Sequence, residues 1–235
     1  MKFLDGLYSY EVVLLVLGVT LFVALLILLA VLAAKGRPFA KLLGFFVLPI
    51  VMIGFPSIKS IEFSDGVAKI EKDTHDLQGD PTNKTLRDAL ANEVATLSPR
   101  PSSEPGVIAT IAHAQIALGR NEEARASFNK ASQLAPQHPQ VLEVQKRLEL
   151  DNKLADLAAK VEQQPSNSAA KEELQKILAD VSSRPIASPV TITNIARAQV
   201  AIGDQTQARL NVEKVLKINP NHAQAIQLRS KMGPP

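Results

Sequence analysis

A chain of 235 residues with a net charge of +3, no cysteine and no tryptophan excludes several kinds of protein at once. Without cysteine there are no disulfides, no thiolate metal sites and no cysteine nucleophiles. A small, scattered positive charge and two tyrosines supply neither the basic face nor the stacking aromatics of a nucleic-acid binder.

The apolar residues are concentrated before residue 57, and the remainder is a polar helical sequence rich in Ala, Gln and Lys. Met1 to Glu11 reads as a short polar tail, with Tyr8 and Tyr10 placed where amphipathic rings favour a membrane interface. Val12 to Ala34 is an unbroken apolar run of about 23 residues, enough to cross a bilayer core. A cleaved signal peptide is the alternative, but its apolar core would be only about 7–15 residues long. Lys35 to Lys41 is a basic loop without acids, and Leu42 to Ile58 is a second apolar run of about 17 residues containing Pro49. A re-entrant or interfacial segment is the alternative to a second span.

The expected anchor is therefore a transmembrane hairpin over 1–58, with spans at about 12–34 and 42–58. Lys35, Arg37 and Lys41 set its topology, because positive loops stay cytoplasmic. Both chain ends then face away from the cytoplasm, which in a bacterial inner membrane is the periplasm. No ionisable residue lies inside either span, which argues against an ion path. Gly18, Gly44 and Gly54 offer sites for close helix contact.

Residues 59–66 read as a linker, with helix onset after Ser64-Asp65 and Asp65 as its cap. Asn83 to Leu97 is a predicted helix with Leu86, Leu90, Val94 and Leu97 at helical spacing. Ser98 to Pro105 is a Pro/Ser loop. Ile108 to Pro136 then reads as a helical hairpin turning at Leu118-Gly119-Arg120-Asn121. Gln140 to Gln163 carries one apolar stripe: Val141, Val144, Leu148, Leu154, Leu157 and Val161. His222 to Met232 is the last helix.

The pattern repeats at an offset of 84 residues, carrying Gly119 onto Gly203, Ala124 onto Ala208, Pro136 onto Pro220 and His138 onto His222. Upstream, Arg100, Pro101 and Pro105 fall onto Arg184, Pro185 and Pro189. Two units follow, 67–150 and 151–235, a pattern typical of stacked helical hairpins.

The spacing Ala112, Gly119, Ala124, Phe128, Ala131, Pro136 resembles the tetratricopeptide repeat signature. The second copy, Ala196, Gly203, Ala208, Val212, Val215, Pro220, resembles it with two aliphatic substitutions. The resemblance implies a right-handed α-solenoid whose concave face binds a peptide or protein. With the hairpin expected from the apolar runs, the predicted fold is all-α: a two-helix transmembrane hairpin followed by a duplicated α-solenoid. Carried over by position, that face includes Ala109, His113, Ile116 and Ala117. In copy two it includes Thr193, Asn194, Arg197, Val200 and Ala201, with Asn194 and Arg197 as candidates to grip a carboxylate or a backbone.

Nothing in the sequence points to chemistry. The four histidines have no ligand spacing, and no nucleophile elbow or phosphate loop is present. Glu122-Glu123 suits the positive end of a helix. The expected protein is not an enzyme and has no cofactor or metal. It is a membrane-anchored extracytoplasmic scaffold or adaptor that binds protein partners, self-association included, and the lipid bilayer, but no nucleic acid. One alternative is an accessory subunit whose hairpin packs against other membrane helices. Another is an assembly factor similar in plan to the tetratricopeptide repeat protein of cytochrome c maturation.

Overall fold

The computed structural model describes residues 4–38, 40–182 and 184–233, with the side chains of Ala40, Lys41 and Ser182 outside the description. Among these residues the fold is all-α. It comprises α1 (Ser9–Ala34), α2 (Ala40–Leu43), a 3-10 turn (Gly44–Phe46), α3 (Val47–Gly79), α4 (Lys84–Leu97), α5 (Pro105–Leu118) and α6 (Asn121–Leu134). It continues with α7 (Pro139–Gln163), α8 (Ser168–Ser182), α9 (Pro189–Ile202), α10 (Gln205–Ile218) and α11 (Ala223–Met232). The chain divides into two compact units, Met1–Ala68 with Thr96–Glu104, and Lys69–Ala95 with Pro105–Pro235.

In the first unit, α1 and the first half of α3 form an antiparallel hairpin. A Cβ on Gly18 would lie 2.9 Å from Met52 and 3.0 Å from Ile53, so only glycine lets the two helices approach this closely. Phe22 meets Phe46 edge-on at 5.4 Å between ring centres. Pro49 falls in the first turn of α3, directly after the 3-10 turn, where a missing N–H costs least. Pro56 lies inside α3. Beside it the Ser57 hydroxyl donates to the Ile53 carbonyl at 2.8 Å.

Two expectations are corrected here. There is no fresh helix onset at Ser64-Asp65, because α3 runs unbroken from Val47 to Gly79. Ser60, Phe63, Gly66, Ile70, Thr74 and Leu77 are all buried at three- and four-residue intervals. This continuous inward stripe outweighs the capping signal of Ser-Asp-Gly. Nor is residue 4 onward a free polar tail. Gly6 N–H donates to the Pro101 carbonyl at 2.9 Å, and Arg100 Nη1 donates to the Gly6 carbonyl at 2.9 Å. The Asp5 carboxylate accepts from Ser102 Oγ at 2.7 Å and from the Ser103 N–H at 2.8 Å. Glu11, only 1% exposed, accepts the Tyr8 N–H at 2.8 Å and faces Arg100 at 3.7 Å.

In the second unit the duplication is visible helix by helix. An offset of 84 carries α5 onto α9 and α6 onto α10 end to end, and carries the start of α7 onto the start of α11. The buried residues follow it. Ile70, Leu77, Leu90 and Val94 become Leu154, Val161, Leu174 and Leu178; Ile108, Ala112, Val141 and Val144 become Ile192, Ala196, Ala225 and Leu228. Asn83 and Asn167 cap α4 and α8 alike, each Oδ1 accepting an N–H three residues on at 3.0 Å.

Gly119 and Gly203 close equivalent left-handed turns, at φ 81° and 91°. A Cβ on Gly119 would also lie 2.8 Å from Pro189, whereas one on Gly203 would meet nothing within 4 Å. Gly203→Ala is therefore expected to cost about 1–2 kcal/mol, the left-handed penalty alone, and Gly119→Ala clearly more. Thermal unfolding followed by circular dichroism checks the order.

Candidate functional site

The first helices of successive hairpins, α3, α5 and α7, share one face in the second unit. Turn spacing places Glu71, Thr74, His75 and Gln78 on that face of α3, and Ala109, Thr110 and His113 on that of α5. Gln140, Glu143, Val144 and Arg147 complete it from α7. Together they line a groove of about 230 Å³. Its walls carry polar and charged side chains from all three helices. Thr74 Oγ1 is buried without a hydrogen-bond partner among the described residues, and Gln78 Nε2 stands 3.5 Å from His113 Nε2.

A second cavity of about 130 Å³ adjoins the groove, sharing Glu143 and Arg147. Its apolar lining includes Ile116, Leu150, Val181, Pro185 and Ile186; Lys146, Arg184, Asp151 and Thr191 add the polar part. Asp151 is 4% exposed, and its Oδ2 accepts from Thr191 Oγ1 at 3.0 Å. Its Oδ1 and the neighbouring Asn121 Oδ1 are buried without partners among the described residues. A proton on the carboxyl, or a half-turn of the Asn121 amide, supplies the missing hydrogen.

Of the residues expected on the concave face, the structure gathers Ala109 and His113 in the groove and places Ile116 in the adjoining cavity. Ala117 is buried, its carbonyl accepting from Arg87 Nη1 at 3.1 Å. Thr193 is 2% exposed and turns inward, its hydroxyl donating to the Pro189 carbonyl at 2.7 Å. Asn194 Nδ2 donates to the Asp151 carbonyl at 3.4 Å. The Arg197 fork already holds Glu162 through bonds of 2.8 and 2.6 Å, which raises the pKa of Arg197 and lowers that of Glu162. Val200 packs against the α9–α10–α11 core and Ala201 against the α7–α8–α9 core, so they do not share one open face. Of the topology-setting loop, Lys35 and Arg37 are exposed, while Lys41 lies in α2 with its side chain outside the description.

Sequence reasoning missed Thr74, Gln78, Glu143, Arg147 and Asp151. The legible signal was Asp151 itself, a charge interrupting the inward stripe between Leu148 and Leu154. His138 and His222 occupy the N-cap positions of α7 and α11, as expected of polar residues opening a helix. No group of three metal-ligating side chains occurs among the described residues.

Two buried groups titrate in opposite senses. Burial, then Arg147, pushes the His113 pKa down to about 4, against a smaller opposing pull from Glu143. Burial pushes the Asp151 pKa up to about 6, against Thr191, Asn121, Arg147 and Arg125. Between pH 4 and 6.5 the unfolded chain protonates His113 while the folded chain does not, so that residue's contribution to stability is lost as pH falls. Between pH 4 and 6 the folded chain protonates Asp151 while the unfolded chain does not, so its contribution is lost as pH rises. Each slope is at most about 1.4 kcal/mol per pH unit, and the two nearly cancel. The Asp151→Asn variant is expected to become more stable from pH 4 to 6, and His113→Gln less stable. Melting temperatures of the full-length protein in mild detergent, at pH 4, 5 and 6, check both signs.

The tetratricopeptide repeat family model matches residues 106–138. The stretch covers α5 from its second residue and all of α6, ending at His138, the N-cap of α7, and these two helices form a tetratricopeptide repeat. No curated protein and no solved structure matches the chain. A repeat of this family supports a protein–protein interaction scaffold.

Proposed function

We propose that the chain is a membrane-anchored, non-catalytic scaffold that binds a protein partner on the α3–α5–α7 face, with no cofactor or nucleic acid. Residues 1–58 are the anchor, and the repeat units over 67–150 and 151–235 are the binding part. The observation that carries the reading is the groove itself, formed in part by the tetratricopeptide repeat, lined by polar side chains and containing the buried, unpartnered Thr74 hydroxyl. The anchor rests on two helices long and apolar enough to cross a membrane. On α1 the residues Val13, Val16, Leu17 and Ile27 are more than half exposed, whereas a soluble core helix would bury its apolar side chains.

The basic loop around Lys35 and Arg37 argues for a cytoplasmic hairpin tip, and hence for a repeat region on the opposite, periplasmic side of a bacterial inner membrane. A second reading, the accessory subunit, is favoured by Gly44 and Gly54. A Cβ at either would meet nothing within 4 Å, leaving both positions open to a neighbouring membrane helix.

The absence of native cysteine permits a direct topology test. With a membrane-impermeant maleimide on intact cells, Ala126→Cys on α6 is expected to be labelled, and Pro38→Cys at the hairpin tip only after permeabilisation. The reverse pattern would overturn the orientation. For function, the full-length protein in mild detergent is expected to retain its partner when the hairpin is replaced by an unrelated anchor. It is expected to lose the partner in a Glu71→Arg, His75→Glu variant, whose two positions are exposed in the groove wall. Retention in that variant with loss on anchor replacement would favour the subunit reading.

A further inference from the structure

The internal duplication pairs a site that the chain itself fills with a second site that it does not. In the first copy, residues 5–11 lie on the loop between α4 and α5. Gly6 is held by that loop through its N–H, which donates to the Pro101 carbonyl, and through its carbonyl, which accepts from the Arg100 side-chain Nη1, both at 2.9 Å. Gly6 sits flat against Phe63, where a Cβ would lie 2.2 Å from the ring. Leu7 beside it is 4% exposed. The Arg100 guanidinium lies 5.4 Å from the centre of the Tyr8 ring and 3.7 Å from the Glu11 carboxylate.

The offset of 84 carries Phe63, Leu97, Arg100 and Pro101 onto Arg147, Val181, Arg184 and Pro185. The two loops share their turn. Arg100 N–H donates to the Leu97 carbonyl and Arg184 N–H to the Val181 carbonyl, both at 3.0 Å. All four second-copy residues line the 130 Å³ cavity described above. Its volume is on the order of the apolar cavities of about 150 Å³ that take up benzene.

The second site differs from the first in charge. Glu62 and Phe63 are replaced by Lys146 and Arg147, so three cations with Arg184 surround the apolar Ile116, Leu150 and Ile186. Two carboxylates share the wall with them, Glu143 at 3.8 Å from Arg147 and the buried Asp151, whose Oδ2 is held by Thr191, so the cations that face the opening are Lys146 and Arg184. Arg184 is 61% exposed, and its ion pair with Asp180 is a surface pair of the kind worth at most about 1 kcal/mol, so it exchanges readily for another carboxylate.

We infer that this second-copy cavity binds an extended acidic segment of a partner protein: a small residue followed by a buried aliphatic one, with carboxylates on either side. The segment lies on the 184–188 loop as residues 5–11 lie on the 100–104 loop. Its backbone pairs with the Pro185 carbonyl, its aliphatic side chain enters beside Ile116 and Leu150, and its carboxylates meet Lys146, Arg147 and Arg184. The inference deepens the scaffold reading and rests on it.

The test uses the full-length protein in mild detergent and a fluorescein-labelled peptide of residues 4–11, Leu-Asp-Gly-Leu-Tyr-Ser-Tyr-Glu, read by fluorescence anisotropy. Saturable binding is expected, weakened at least tenfold by the double variant Lys146→Glu, Arg184→Glu with unchanged helix content. On the unaltered protein, peptides with Leu7→Asp or with both Asp5→Lys and Glu11→Lys are expected to bind at least tenfold more weakly, which keeps the test independent of any variant's folding. The inference is overturned if no saturable binding occurs, or if binding survives the double variant. It is also overturned if binding is lost only with Arg100→Glu, which would place the peptide on the first-copy loop. A natural partner that co-purifies and ignores the double variant would sink this site while leaving the scaffold reading in place.

Discussion

A helical hairpin cannot bury its own apolar face, and in this chain the helix that resolves the problem is α7. Its first half supplies Val141, Val144 and Leu148 to the core around α5 and α6. Its second half supplies Leu154, Leu157, Ala158 and Val161 to the core with α8 and α9. One uninterrupted helix therefore closes the first copy and opens the second. Stacking of this kind makes each repeat depend on its neighbour. α11, the equivalent of the first part of α7, likewise supplies Ala225 and Leu228 to the core with α9 and α10.

The join between those two cores is where polarity enters the interior. Asp151 sits between Leu148 and Leu154, one carboxyl oxygen held by Thr191 and the other beside Asn121. Arg147, one turn earlier on the same helix, favours ionisation of Asp151 and also depresses the basicity of His113 one helix away. A carboxyl that resists ionisation and an imidazole that resists protonation thus share one arginine. Burial dominates both shifts, so the junction departs from the charge its residue types suggest in mildly acidic solution, between about pH 4 and 6.

Duplication followed by divergence gives the two copies different surroundings. Both keep the Arg-Pro loop and its turn, yet Arg100 holds the chain's own residues 5–11 while Arg184 lies in the wall of a cavity. The replacement of Phe63 by Arg147 and of Ser102 by Ile186 moves the aromatic from the wall and adds charge and aliphatic surface. The backbone turn is retained, and the side chains that project from it differ.

Much of this architecture was legible in the sequence, because its signals are local or periodic. The 84-residue offset, the glycine turns, the proline helix starts and the apolar runs each depend on residues a few positions apart, so all-α hairpins and two long apolar helices follow directly. Continuous α3 was not legible: Ser64-Asp65-Gly66 carries the chemistry of a helix start, and only burial of Phe63, Gly66 and Ile70 along one stripe overrides it. Nor was the groove. Position in the repeat picked out Ala109 and His113, but the tertiary packing of α3 beside α5 and α7 decided which polar groups face them. Arg197 looked available until Glu162, on a different helix, was seen to hold it. The sequence determined which helices form and which faces are apolar, since period and capping are properties of short stretches. Tertiary structure alone decided which charges are already paired, because pairing joins residues that the chain keeps far apart.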